Sequence, residues 1–256
     1  MSYTLEQNFI PGLPKEPYDD GHYVGVVAHA TANYSDSTDG ERNYESTTWQ
    51  NAFVHFFVDD QKIEQVADTN YLCYGAAHTA NHLGYVQVEL CQTTDPIKFT
   101  KAYAMYTWLL AKLLYNRKLC VVDGATLMSH AQVSAKWHET NHTDPIDYLA
   151  SHGKTWVDLV ADVTTQYTLI EEEDRVLNVA VLLFTKDDYW AGSDVSVKNG
   201  NCAIFVRQAD HSVPADAMSA KQLIVVGGPT TRHPNEVLLS GNDKYATAAA
   251  VAKYLG

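Results

Sequence analysis

Residues 22–29 read His-Tyr-Val-Gly-Val-Val-Ala-His, a short apolar and β-branched stretch that ends in a histidine. Such a stretch is typical of a buried β-strand. Two more strands are predicted at residues 53–58 and 86–90, and a long helix is predicted at 97–115. In the third strand, apolar residues alternate onto one face and place Glu89 on the other. Strands separated by helical and loop segments predict an α/β fold.

The composition fits a folded protein and argues against two classes of partner. Of the 256 residues, 46% are hydrophobic and 19% are charged, so the chain can bury at least one core. The formal net charge of -13 argues against nucleic acid as a partner, because binding a phosphate backbone needs a basic surface. No apolar run approaches the roughly 20 residues of a membrane span, so no membrane partner is expected.

The N-terminus and the cysteines bear on the cellular compartment. The opening residues, MSYTLEQNFIPG, lack a basic segment followed by an apolar one, which predicts no Sec-type signal peptide. The four cysteines show no CxxC spacing, which argues against a disulfide framework and against a Cys-rich zinc site. We therefore expect synthesis in a cytoplasm.

The histidines are concentrated in the first part of the chain. Of the 11, only His211 and His233 lie beyond residue 152. His29 and His130 each end a predicted strand, and the loop at 138–145, HETNHTDP, offers His138, His142 and Asp144 as further ligands. A catalytic zinc needs three nitrogen, oxygen or sulfur ligands and one open position. Because hydrogen-bonded structural histidines fit the same spacing, the residues alone leave both interpretations open.

Five short motifs occur in a fixed order between residues 20 and 150. They are VAHATAN, AFVHFFVDD, GYVQVEL, SHAQVS and HTDPIDYL. Together they resemble the zinc-dependent N-acetylmuramoyl-L-alanine amidases of the Amidase_2 family. The resemblance implies a central mixed β-sheet flanked by helices and zinc as the cofactor. It also implies peptidoglycan as the substrate, cleaved at the amide bond between N-acetylmuramic acid and L-alanine.

The resemblance also implies roles for individual residues. His29 and His130 match the two histidine ligands of the family's zinc. Asp144 matches the third ligand, which the family supplies as Cys or Asp just before a proline. Glu89 matches the acid that many members use as general base. His142 stands where many members place a lysine that stabilises the transition state.

The sequence departs from the family pattern at two places. The gap from His130 to the third ligand is wider than in several relatives, which leaves His138 as a competing ligand. Val54 stands where some members carry a catalytic tyrosine. The absence of that tyrosine makes Glu89 the main candidate for the general base. The neighbouring His55 is expected to be a hydrogen-bonded residue of the core or of the cleft wall.

A second resemblance covers the C-terminal part of the chain. The segment LIVVGGPTTRHPNEVLLSGNDKYATAAAVAKYL is similar to bacterial cell-wall-binding type 2 repeats and to the wall-binding domains of clostridial phage endolysins. This resemblance implies a small C-terminal α/β module that binds a wall polymer. A tight turn explains its GGP sequence equally well. We expect a catalytic domain at 1–167, an acidic linker at 168–177 and a wall-binding domain at 178–256. Because a module of this size buries a limited core, we expect homo-oligomerisation through it.

These expectations combine into a phage endolysin that lyses a Gram-positive host. It would be made in the host cytoplasm and would act at the cell wall after release. A bacterial autolysin with the same chemistry is the alternative enzyme. A peptidoglycan-recognition protein that binds without cleaving is the alternative from another class. A glycosidase is disfavoured, because it needs two opposed carboxylates and only Glu89 stands out.

Overall fold

The first predicted strand lies inside a sheet. A computed structural model describes residues 3–256 and contains this strand at Gly25–Ala30, with all six residues buried. The chain divides into two compact units, Met1–Glu171 and Glu172–Gly256, each with its own sheet.

The sheet of the N-terminal unit has six strands. They are β1 (Leu5–Gln7), β2 (Gly25–Ala30), β3 (Phe56–Val58), β4 (Ile63–Gln65), β5 (Tyr85–Leu90) and β6 (Leu127–Ser129). Their order in the sheet is β1-β4-β3-β5-β2-β6. The β3–β4 pair is antiparallel and the other pairs are parallel. The expectation of a central mixed sheet is therefore confirmed.

Helices flank this sheet. They are α1 (Thr38–Thr48), α2 (Ala77–Leu83), α3 (Pro96–Asn116), α4 (His130–Trp137), α5 (Ile146–Ser151) and α6 (Trp156–Arg175). Helix α3 begins where the sequence predicts, because the Asp95 side chain accepts hydrogen bonds from the backbone N–H groups of Ile97 and Lys98. Its apolar residues pack against the sheet and form the main core of this unit.

Some boundaries differ from the sequence expectation. His130 is the first residue of α4 instead of the last residue of a strand, because Ser129 and Gln132 form a capping box that starts the helix there. Helix α6 continues to Arg175, so most of the segment predicted as a linker is helical. Its run of acids, residues 171–174, lies on the last turns of that helix. An exposed helix end tolerates such a run, because water solvates the charges.

The C-terminal unit is a smaller α/β module. Its strands are β7 (Val179–Leu183), β8 (Ala203–Val206), β9 (Gln222–Val226) and β10 (Glu236–Leu239). They form a parallel sheet in the order β10-β9-β7-β8. Its α-helices are α7 (Tyr189–Lys198), α8 (Ala215–Met218) and α9 (Lys244–Leu255). Among residues 3–256, no helix combines the length and the apolar character needed to cross a membrane.

Candidate active site

The site forms where β2 and β5 end side by side. In their parallel register, His29 on β2 is paired with Glu89 on β5. Alternation along β5 buries its Val and Leu side chains in the core and turns Glu89 to the opposite face. Since neighbouring residues in register share a face, the sheet brings this carboxyl group to the same side as the His29 ring.

Two further residues reach His29 from distant parts of the chain. His130 follows β6, which pairs with β2, and Asp144 lies in the loop before α5. The Asp144 carboxylate lies between the two imidazoles. Its Oδ2 atom is 3.0 Å from Nδ1 of His29, and its Oδ1 atom is 3.2 Å from Nδ1 of His130. Both histidines are buried, and their rings pack edge to face at 4.6 Å.

These three side chains could hold a metal ion. They offer one ligand atom each, and the three atoms lie within 4.8 Å of one another. Two imidazole nitrogens and one carboxylate oxygen are a donor set that suits catalytic zinc. The Nε2 atoms of His29 and His130 are buried without a hydrogen-bond partner in the described part of the chain, so protein contacts alone do not satisfy the rings. The residues present therefore fit a zinc ion.

The electrostatics of the three residues agree with a cation site. Burial would raise the pKa of Asp144, but hydrogen bonds from His130 and His29 outweigh it and leave that pKa below its usual value. Burial is also the largest influence on His130, and it lowers the pKa of the imidazole. An ionised carboxylate next to a neutral imidazole is the protonation state in which both can coordinate a metal.

Glu89 has the opposite character. Burial raises the pKa of its carboxyl group well above the usual value, and the negative charges of Asp144 and Glu45 raise it further. Its Oε2 atom is buried and has no hydrogen-bond partner among residues 3–256. A carboxyl group with a raised pKa, facing a cleft, is suited to moving protons during a reaction.

His142 lies at the outer edge of the group. Its ring stacks on that of His130 at 4.7 Å, and its Nδ1 atom is 3.7 Å from Oδ1 of Asp144. Its side chain is 64% exposed, so it can reach a bound molecule. His138, the competing ligand, lies elsewhere: it is exposed at the C-terminal cap of α4 and is not part of the three-residue group.

A cleft of about 220 Å³ opens over these residues. Sequence reasoning missed one of its walls, which is formed by Glu41, Tyr44 and Glu45 of α1. A signal for this helix was available, because Ser37 is an N-cap residue and acids follow it in the first turn. Burial raises the pKa of Glu45 to about 9, and its carboxyl group accepts a hydrogen bond from the backbone N–H of Val54.

The chain resembles known proteins over its N-terminal unit. The model of the N-acetylmuramoyl-L-alanine amidase family Amidase_2 matches residues 20–147. The endolysin of Listeria phage A511 is 36% identical over 171 residues, which cover 64% of this chain and 50% of that protein. The bifunctional autolysin of Staphylococcus epidermidis is 33% identical over 172 residues, which cover 64% of this chain and 13% of that protein. The chain thus spans about half the length of the phage relative and far less of the autolysin.

A solved structure shows the same fold. The crystal structure of Staphylococcus aureus hydrolase AmiA in complex with its ligand superposes with a TM-score of 0.65 at 29% identity. The superposition covers 68% of this chain and 87% of that one.

Proposed function

Because the chain belongs to the Amidase_2 family of N-acetylmuramoyl-L-alanine amidases, we propose that it hydrolyses the amide bond between N-acetylmuramic acid and L-alanine in peptidoglycan. The observation that carries this proposal is the convergence of His29, His130 and Asp144 beneath a cleft that Glu89 also lines. We assign the first three residues as zinc ligands. Bound zinc would polarise the scissile carbonyl group and make water more acidic.

Glu89 is the general base and then the general acid. Its carboxylate takes a proton from the attacking water, whose oxygen bonds to the carbonyl carbon of the lactyl group. It then delivers that proton to the nitrogen of L-alanine as the carbon–nitrogen bond breaks. A pKa raised by burial suits this role, because a carboxylate that binds protons more tightly is a stronger base toward the attacking water.

His142 stabilises the oxyanion that develops on the carbonyl oxygen. An N–H of its ring can donate to that oxygen because the side chain is exposed at the mouth of the cleft. The stacking contact with His130 limits the orientations of the ring, which lowers the entropy cost of placing the donor.

The biological setting that we propose is lysis of a Gram-positive host by a phage. The relatives include phage and bacterial proteins, and the chain covers a much larger share of the phage endolysin than of the autolysin. In this setting the protein is made in the host cytoplasm and reaches the cell wall upon release. Residues 1–167 act as the catalytic domain, and residues 178–256 bind a wall polymer.

The experiment that tests the activity is digestion of Gram-positive cell walls by the purified chain. New free amino groups and new reducing sugars are measured with chelator, without it, and after zinc is added back. We expect amino groups without reducing ends, loss of release with chelator, and recovery with zinc. Reducing ends would indicate a glycosidase. Binding to susceptible walls without release would indicate a recognition protein.

A pair of variants tests the third ligand. Asp144→Ala should lose both bound zinc, measured by metal analysis, and amidase activity. His138→Asn is the matched control from the same loop, since His138 has a positive φ of 58°, which asparagine tolerates. We expect this control to keep zinc and activity. The reverse outcome would assign the ligand to His138.

A further inference from the structure

Strand β8 is an edge of the C-terminal sheet, and it lacks the charged residues and prolines that often protect edge strands. It pairs with β7 on one side and with no strand on the other within the described chain. Its four residues, Ala-Ile-Phe-Val, are all apolar and all partly exposed. Charged residues, prolines and bulges are the usual devices that keep such an edge from pairing with another chain. Residues 203–206 contain neither a charged residue nor a proline.

The opposite edge of the same sheet differs. Strand β10 carries Glu236, whose carboxylate is held by hydrogen bonds from Thr230 and Thr231. A charge fixed on an edge strand disfavours pairing with another strand. Only one of the two edges is therefore open to a partner strand.

The hydrogen bonds at the ends of β8 define how much of its edge is free. The N–H of Arg207 bonds to the carbonyl of Leu183 on β7, so alternate residues turn their backbone groups to β7. Ile204 and Val206 therefore direct their N–H and C=O groups outward. On either side of them, the carbonyl of Cys202 accepts from Ser196 and the N–H of Gln208 donates to Ser212.

The outward N–H and C=O groups of Ile204 and Val206 can pair with the same groups of a second copy of the chain. We propose that β8 is a homodimer interface, in which two copies of the chain pair their β8 strands antiparallel about a two-fold axis at Phe205. In that register Ile204 lies opposite Val206 of the second copy, and each such pair exchanges two backbone hydrogen bonds. All the outward groups of both strands are then satisfied. A register centred on Ile204 or on Val206 would require groups that Cys202 or Gln208 already uses.

The side chains leave room for this arrangement. Across the axis the two Phe205 residues form a pair without mutual hydrogen bonds, with Cα atoms about 4.5 Å apart and side chains on one face. On that face, next to Phe205, lies a groove of about 490 Å³, lined also by Leu177, Ala203 and Ser219. The two rings can therefore pack against each other over a space that the single unit leaves unfilled. In this register Arg207 lies opposite Ala203 of the second copy, and its guanidinium bonds to its own unit at the carbonyls of His211 and Pro229.

Disulfide trapping tests both the dimer and its register. In a Cys120→Ser, Cys202→Ser background of the full chain, Phe205→Cys places two thiols opposite each other at a separation that a disulfide spans. Ala203→Cys is the matched control on the same strand and face. Its two copies would lie four residues apart along the strand, about 13 Å, which a disulfide cannot bridge. We expect a covalent dimer from the first variant under mild oxidation and none from the control.

Solution mass provides the second measurement. Sedimentation of the unmodified chain over a concentration series should show the 28.5 kDa mass rising toward twice that value. Ile204→Pro removes one outward N–H, leaves the backbone bonds to β7 intact, and should keep the chain monomeric. Because Ile204 also packs against the core of this unit, circular dichroism of the variant checks that it is folded. A chain that stays monomeric at every concentration overturns the proposal. So does a dimer that Phe205→Cys fails to trap while Ala203→Cys does, because another surface or register would then be responsible.

Discussion

Because His55 is buried, we predict that acid destabilises the N-terminal unit. Its ring is fully buried, and Nδ1 accepts a hydrogen bond from the backbone N–H of Gln87 at 3.0 Å. Nε2 lies 2.9 Å from the carbonyl of Tyr71 and 3.2 Å from the hydroxyl of Tyr18. A neutral ring with its proton on Nε2 satisfies these contacts, whereas a second proton on Nδ1 would face an N–H donor. Burial lowers the pKa of His55 from 6.5 to about 4.

The direction and size of the effect follow from this pKa. Between pH 4 and 6.5 the unfolded chain binds a proton at His55 that the folded chain does not bind. The neutral His55 ring stabilises the folded chain fully above pH 6.5, and this stabilisation is lost as the pH falls from 6.5 through 4. At about 1.4 kcal/mol for each pKa unit, the 2.5 units amount to about 3 kcal/mol of unfolding free energy.

Urea unfolding at a series of pH values measures this contribution. Tryptophan fluorescence reports the relevant unit, because every tryptophan except Trp190 lies in it. His55→Gln is the comparison, since its amide can accept from Gln87 and donate to Tyr71 without titrating. We expect the unmodified chain to lose about 3 kcal/mol more than the variant between pH 7 and pH 4. Other titrating groups act in both proteins and cancel in the difference. Parallel loss of stability in the two proteins would refute the role of His55.

Three further substitutions have defined outcomes. Glu89→Gln should retain zinc by metal analysis but lower kcat by about 10²–10⁴-fold, because the proton carrier is lost; unchanged turnover would remove Glu89 from the mechanism. Glu45→Gln should raise the unfolding free energy by up to about 3 kcal/mol at pH 7, because the folded pKa of about 9 makes ionisation costly as the pH rises above 4.5. The amide still accepts from Val54, and a gain that does not grow with pH would contradict this explanation. Gly75→Ala should lower the unfolding free energy by about 1–3 kcal/mol, because its Cβ would overlap the buried side chains of Gln87 and Val54. An unchanged melting temperature would contradict this expectation.

The sequence alone predicted several of the strands and the reactive residue types. Alternation in residues 86–90 predicted a strand that buries its aliphatic side chains and turns Glu89 away from them, as the structure shows. The helix predicted at 97–115 also matches α3 closely, because apolar periodicity is a local signal. The motifs around His29, His130 and Asp144 selected the residues that the structure brings together.

Only the tertiary structure decided which distant groups meet. His29 and Asp144 are 115 positions apart, and the sequence favoured Asp144 by its resemblance to the family but left His138 as a competing ligand. The sheet order brings His130 beside His29, the loop before α5 puts Asp144 between the two imidazoles, and His138 is left exposed at the end of α4. The cleft wall from α1 and the open edge of β8 likewise depend on which elements lie beside each other. Periodicity and capping act over a few residues, whereas these arrangements depend on how whole elements pack, which no short stretch of the sequence records.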